Sequence, residues 1–264
     1  MRKGLQGGRY RPLTDNQIEQ IHQTVLRVFS EVGVQVNHDE ALDLFKRAGA
    51  RVDSHSGIVK FEQAMVMDLI KQAPSVVNLC GRAPDGSLDC EIGGTRVHLG
   101  TGGTALNVQD PGVDDNRPSK LRDIMNMARL VDALENIHFY MLNIFPHDVD
   151  REDIDVNRFG AALNRTRKHI MGGVYTVEGV RNVIAMAEMI AGSPEALRQR
   201  PFISMVACII SPFKLDEAYG RLAIEVAKNN IPLVVPAEPL CGATAPITLA
   251  GNLVLTGSRG LSAT

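Results

Sequence analysis

Residues 201–250 read PFISMVACIISPFKLDEAYGRLAIEVAKNNIPLVVPAEPLCGATAPITLA, and this stretch decides the fold class. It holds an apolar run, Ile203 to Ile210, a turn at Ser211-Pro212, an amphipathic helix over Leu215 to Lys228 and a second apolar run, Pro232 to Val235. That is one βαβ unit. Apolar strands without polar alternation suit a parallel sheet covered on both faces, with a right-handed crossover between neighbours. Ligands in such α/β folds sit at the carboxyl ends of the strands. The informative residues are therefore Ser211, Pro212, Glu238, Pro239 and the loop from Gly242 to Pro246.

The same pattern runs upstream. Ile137 to Ile144 reads as a first strand, followed by a helix from Asp153 to about Thr166; His169 to Val174 reads as a second, followed by a helix that stops at Gly192. Together with the opening stretch this gives βαβαβαβ, and Leu249 to Leu255 begins a further helix. Periodicity alone does not separate half of an eight-stranded barrel from a small open sheet. The closing residues from Thr256 abandon helical apolar spacing, so a truncated chain with exposed sheet edges is expected.

Before this repeat, Thr14 and Gln17 form a capping box for a helix that ends near Gly33, and Asn37 or His38 opens a second that ends at Gly49. These read as a helical hairpin. A β-hairpin about Ser54 to Gly57 places His55 in an exposed turn, and a third helix runs to about Ala73. Short strands follow at Val76 to Cys80, Leu88 to Ile92 and Arg96 to Leu99, then a loop from Asp110 to Pro118 and a helix capped by Ser119. The expected domains are residues 1–100, helical with a small β element, and residues 101–264, the repeat.

With 264 residues the chain can bury a large core, and a net charge of -2 with well-mixed charges predicts no nucleic-acid footprint. No apolar run suits a signal sequence or a membrane span, and Cys80, Cys90, Cys208 and Cys241 lie in no metal-ligand spacing. They read as reduced thiols in a cytoplasmic protein.

Candidate chemistry is sparse. Glu238, at a strand end, has a partly desolvated setting in which to act as base, acceptor or counter-charge; a salt bridge or helix cap explains it equally well. Tyr175 offers an aromatic wall suited to a cation, or simply packs on the next loop. The turn Thr101, Gly102, Gly103, Thr104 can cradle an anion or admit a bulky ligand, but lacks a Walker lysine. His147, Asp148, Asp150, Glu152, Asp153 and Asp155 read as a solvated face at a helix start rather than as metal ligands. His138 and His169 begin strands and read as structural.

The segments GTGGTALNVQD (100–110), RLVDALENIHF (129–139), RPFISMVACIISPFKLDEA (200–218) and VVPAEPLCGATAPITLAGNLV (234–254) resemble the trimethylamine methyltransferase family, corrinoid-dependent enzymes that include glycine betaine-type members. The likeness runs from about Ile21 to Val254 and covers the family's N-terminal half. It implies a TIM (β/α)8 barrel, incomplete here, with an N-terminal helical and small β extension. It also implies methyl transfer from trimethylamine or a quaternary amine to the cobalt of a partner corrinoid protein, with no tightly bound cofactor or metal in this chain and homo-oligomers at full length. The pyrrolysine that marks trimethylamine enzymes falls beyond the matching half, so both substrate types stay open. By position, Glu238 is the catalytic candidate, Tyr175, Ser211, Gly242, Ala243 and Thr244 the substrate-binding candidates, and Thr101 to Thr104 the corrinoid-side turn. A different TIM-barrel enzyme such as a lyase, or a non-catalytic barrel fragment, are the alternatives.

Overall fold

The computed structural model describes residues 1–262. They divide into two compact units interleaved along the chain. The first comprises Met1–Gly7, Ser75–Val206 and Glu225–Val234; the second comprises Gly8–Pro74, Ala207–Ile224 and the residues from Val235.

The first unit is built on a parallel sheet whose strands β1 (Tyr140–Met141), β2 (Ile170–Gly173), β3 (Ile203–Val206) and β4 (Leu233–Val234) lie in chain order. Tyr140 stands opposite Ile170, Ile170 opposite Ile203 and Met205 opposite Leu233. Tyr140, Ile170, Ile203 and Met205 are fully buried, as expected for strands covered on both faces. Helix Ile154–Leu163 packs against helices Leu121–Ala133 and Val177–Ala191. Its Phe159 comes so close to β2 that a Cβ on Gly172 would lie 2.9 Å from the ring and 2.7 Å from Leu142 Cδ1. Glycine is required there by space.

Several expected elements are shorter or shifted. The first strand contracts to Tyr140–Met141 and the third ends at Val206. Ser119 does not cap the next helix: it is buried, and its hydroxyl lies 2.5 Å from the Phe145 carbonyl. Lys120 takes the cap position, its N–H donating to the Asp123 carboxylate at 2.8 Å. The Asp110–Pro118 loop is closed by a hairpin, Asn107–Gln109 with Asn116–Pro118, and a short helix unforeseen in the sequence, Pro194–Gln199, starts at the Ser193 side chain. Of the three short strands expected here, Val77–Leu79 and Cys90–Ile92 pair with each other, and the third contracts to Arg96–Val97 and pairs with Leu5–Gln6.

In the second unit, both capping-box bonds of Thr14 and Gln17 form and start helix Asp15–Arg27, which continues through a wider turn to Val32. Gly33 ends it at φ 86°, a conformation that favours glycine. Helix Asp39–Arg47 is capped by the His38 ring accepting from Ala41 N–H. The segment between them, Val34–Val36, is a strand rather than a hairpin turn. It pairs with Ile58–Lys60 on one side and, on the other, with Lys214–Leu215, two residues expected to lead into a helix. That helix begins at Glu217, because the Asp216 carboxylate accepts Tyr219 N–H at 2.9 Å. The core holds Val25, Leu26, Phe29, Val34, Val59 and Phe61, with Phe29 edge-on to Phe61 at 5.7 Å.

The last helix, Leu249–Ser262, does not stop at Thr256 as its apolar spacing suggested. It packs on helices Asp15–Arg27 and Gln63–Gln72, and Gly257 allows close approach: a Cβ there would lie 3.1 Å from Val25. Among the described residues no helix is long and apolar enough to cross a membrane.

Candidate functional site

Carbonyls at the carboxyl ends of strands lose their ladder partners and must be satisfied otherwise. In the first unit Arg158 does this. Its side chain lies on the buried stripe of helix Ile154–Leu163, with Ile154 and Ala162, and is wholly buried. Nε donates to the Ile144 carbonyl at 3.2 Å, Nη2 to Leu142 at 3.3 Å and Nη1 to Gly173 at 2.9 Å. One side chain thus ties the ends of β1 and β2. Burial pulls its pKa below the ordinary arginine value.

One turn earlier on the same helix, the Asp155 carboxylate accepts the backbone N–H groups of Tyr175 at 3.0 Å and Thr176 at 3.2 Å. Asp155 is 1% exposed and burial raises its pKa, so it is no part of a solvated acidic face, contrary to its sequence context. Gly179 leaves the space that Asp155 fills. The Tyr175 ring, 37% exposed, lies 5.2 Å from the Arg158 guanidinium carbon and edge-on to Phe145 at 5.6 Å, and Phe145 in turn meets His147 at 5.5 Å.

The glycine-rich turn reaches the same rim. Thr101 donates its hydroxyl to the Met141 carbonyl at 2.6 Å, and Phe145 N–H donates to the Ala105 carbonyl at 3.0 Å. Residues 101–105 therefore run along the end of β1 towards Phe145. Gly102, Gly103 and Thr104 are exposed, and open space surrounds both glycines. The structure thus brings Tyr175 and Thr101 to Thr104 onto one rim, with Phe145, His147 and Arg158, which sequence reasoning did not single out as a group. The signal for Arg158 was available: a cation on the apolar stripe of a helix needs buried partners.

The remaining candidates lie in the second unit. Ser211 donates its hydroxyl to the Thr244 carbonyl at 3.2 Å, and Thr244 Oγ1 accepts Leu240 N–H at 3.0 Å. Gly242 turns this loop at φ 78°. Pro212, Phe213, Ala243, Thr244, Val28 and Leu255 help line an apolar cavity of about 550 Å³. Glu238 is exposed, contrary to the desolvated setting expected for it. Burial, and then the Glu238 charge, push the Cys208 thiol up in pKa.

His169 is wholly buried. Nδ1 faces the Cys80 carbonyl at 3.1 Å and Nε2 faces the Ser204 hydroxyl at 2.8 Å, so a neutral ring satisfies both, and burial lowers its pKa to about 4. His138 accepts Leu99 N–H at 3.0 Å. His169 and the half-buried His138 precede β2 and β1, at the ends of those strands opposite to the rim residues. Among the described residues no group of three or more His, Cys, Asp or Glu side chains could hold a metal ion.

A chain-ordered parallel sheet, with a rim of aromatic and glycine residues at its strand ends, defines an α/β protein of the kind that presents small-molecule sites at that edge. Residues 4–264 match the trimethylamine methyltransferase (MTTB) family, and the chain belongs to that family. It is 33% identical to a trimethylamine methyltransferase of Desulfitobacterium hafniense (strain DSM 10664 / DCB-2), over 91% of this chain and 48% of the relative. It is 30% identical to one of Methanosarcina barkeri (strain Fusaro / DSM 804), over 98% and 53%. A glycine betaine methyltransferase of D. hafniense (strain Y51) is 23% identical over 96% and 52%. The chain therefore spans about half the length of the curated relatives it matches. Its fold matches the crystal structure of the M. barkeri monomethylamine methyltransferase with a TM-score of 0.55 at 11% identity, covering 94% of this chain and 55% of that one.

Proposed function

We propose that this chain contributes the first four strands of a (β/α)8 barrel that moves a methyl group from trimethylamine, or from a quaternary amine such as glycine betaine, to the cobalt of a corrinoid carried by a separate protein. The family match across residues 4–264 carries this reading. Strand order supports the barrel: β1 to β4 lie side by side in chain order, as a barrel winds, with no reversal of the kind that marks a doubly wound sheet. On this reading residues 1–100 are the extension and 101–264 the barrel portion. Cys80, Cys90, Cys208 and Cys241 are free thiols, which is consistent with a cytoplasmic setting, and the full-length protein is a homo-oligomer.

The corrinoid arrives as a substrate whose reduced cobalt is a strong nucleophile. What remains for the protein is to orient the N-methyl carbon, exclude water and release the amine. In the step the C–N bond breaks, the carbon goes to cobalt and the bonding pair stays on nitrogen. A quaternary ammonium leaves as a neutral tertiary amine without a proton; trimethylamine must gain one to leave as dimethylamine. On the rim, Phe145 and Tyr175 supply an aromatic wall, while Arg158 already sets positive charge 5.2 Å from the Tyr175 ring. That charge favours a neutral amine, or the carboxylate end of a betaine, over an isolated quaternary cation against Tyr175.

The test is methyl transfer to cob(I)alamin from trimethylamine, glycine betaine and proline betaine. It uses this chain and a chimera in which it is followed by the second half of the D. hafniense trimethylamine enzyme. Methylation of the corrinoid by either protein supports the reading. Absence of transfer from all of these amines with both proteins overturns it.

A further inference from the structure

A second cavity, of about 420 Å³, lies in the first unit at the opposite end of the parallel sheet from the Tyr175 rim. Phe202, the residue preceding β3, forms part of its wall, together with Ile190, Ala196, Arg82 and Arg200. Its volume is in the range of small-ligand sites.

The charges around it do not balance. Arg82 Nη2 donates to the carbonyls of Leu163 and Thr166, the latter at 2.6 Å, and the guanidinium carbon lies 5.6 Å from the centre of the Phe202 ring. These partners fix the group but carry no negative charge. Among the described residues Arg82 makes no ion pair, and its buried Nε has no hydrogen-bond partner. The Asp132 carboxylate, whose field reaches Arg82, is engaged by the Thr166 hydroxyl at 2.8 Å and by Arg167 N–H at 3.0 Å, and Arg167 adds a further cation.

Arg200, 51% exposed, uses one nitrogen, Nη2, for both Asp89 oxygens, at 3.0 and 2.9 Å. Asp89 is 7% exposed and also accepts Gly81 N–H at 2.9 Å, so it answers Arg200 and leaves Arg82 without a carboxylate in contact. A guanidinium prefers an oxyanion able to meet its planar fork, and a cavity with one surplus cation and walls of Ile190, Ala196 and Phe202 matches an anion with an apolar flank.

We propose that this cavity is a binding site for a small organic oxyanion, a carboxylate or phosphate monoester, which Arg82 and Arg200 hold by its charged end against Phe202 and Ala196. The site is separate from the strand-end rim and does not rest on the methyl-transfer reading.

Isothermal titration calorimetry of the 264-residue chain with benzoate, phenyl phosphate and the neutral analogue benzamide tests this. The expected result is saturable binding of at least one anion and none of benzamide. Binding should weaken at least tenfold in Ala196→Leu, which fills the cavity without touching its charges, and in Arg200→Gln, which removes one. Circular dichroism melts confirm that each variant is folded, and Ala196→Leu keeps the test decisive if loss of the Asp89 pair unfolds Arg200→Gln. Absence of saturable binding by either anion, equal binding of benzamide, or undiminished binding by folded Ala196→Leu would overturn the proposal.

Discussion

Replacing Arg158 by methionine removes the cation that ties the ends of β1 and β2 while keeping most of its volume. Three carbonyls, of Leu142, Ile144 and Gly173, lose a charged donor at 2.9–3.3 Å in a fully buried setting. Hydrogen bonds to charged groups contribute about 1.5–3 kcal/mol each. Removing the charge also relieves the desolvation of a buried guanidinium, which offsets part of that sum. Breaking buried charged networks from one side costs about 3–5 kcal/mol, and loss of the Tyr175 contact adds about 0.5–1 kcal/mol. The net expectation for Arg158→Met is a loss of about 4 kcal/mol, a large share of the ~5–15 kcal/mol that holds a typical domain. Arg158→Lys keeps the charge but cannot span three diverging carbonyls, and should lose about 2 kcal/mol. The chain has no tryptophan, so urea unfolding is best followed by circular dichroism, with tyrosine fluorescence as a second probe. A loss below about 1 kcal/mol for Arg158→Met, or equal losses for the two variants, would refute the strand-end role assigned to this residue.

The neutral His169 ring predicts a pH dependence. Its folded pKa of about 4 lies below the ordinary 6.5, so as pH falls from 6.5 the unfolded chain takes up a proton that the folded chain refuses. Stability should fall through that window by about 3 kcal/mol in all, levelling below pH 4, and His169→Gln should flatten this part of the curve; an unchanged slope in the variant would contradict it. Lys168, 1% exposed, donates to the carbonyls of Val131, Leu134 and Ile137 at 2.5, 2.7 and 2.6 Å, the first in the last turn of helix Leu121–Ala133 and the other two just beyond it. Lys168→Met should cost about 3 kcal/mol in urea unfolding, and hydrogen exchange should show the last turn of that helix opening first. Gly172→Ala should lower the melting temperature by roughly 4–8 °C through overpacking against Leu142 and Phe159, whereas an unchanged melting temperature would mean that the neighbours yield freely.

Much of this fold was legible because local rules and global packing agree. Apolar runs located all four parallel strands, Thr14 with Gln17 marked a helix start, and Gly192 ends its helix in the left-handed conformation. What escaped depends on partners distant in sequence. Val34–Val36 is a strand because Ile58–Lys60 and Lys214–Leu215 supply its two ladders, Lys214–Leu215 is one because Val34–Val36 supplies its own, and neither is long enough to carry a period of its own. Asp216 captures Tyr219 N–H and moves a helix start that apolar spacing placed earlier. At the rim, Tyr175 could be chosen by strand-end position, which topology fixes, and the Thr101 turn by its glycines. Glu238 could not be judged in that way, because its exposure depends on the path of an irregular loop. Asp155 looked like one of several solvated acids, and only its three-residue spacing to Arg158 on a buried stripe distinguishes it.

Whether the rim bearing Tyr175 serves methyl transfer is decided by kcat/KM for methylation of cob(I)alamin. Glycine betaine and trimethylamine are the methyl donors, and the chimeric protein is compared with its Tyr175→Ala variant and with Cys241→Ser as a control. Transfer from at least one amine is expected, with a drop of at least tenfold in kcat/KM for Tyr175→Ala, its melting curve preserved, and no change for Cys241→Ser. Equal rates for Tyr175→Ala and the parent, or no transfer from either amine, would contradict that expectation.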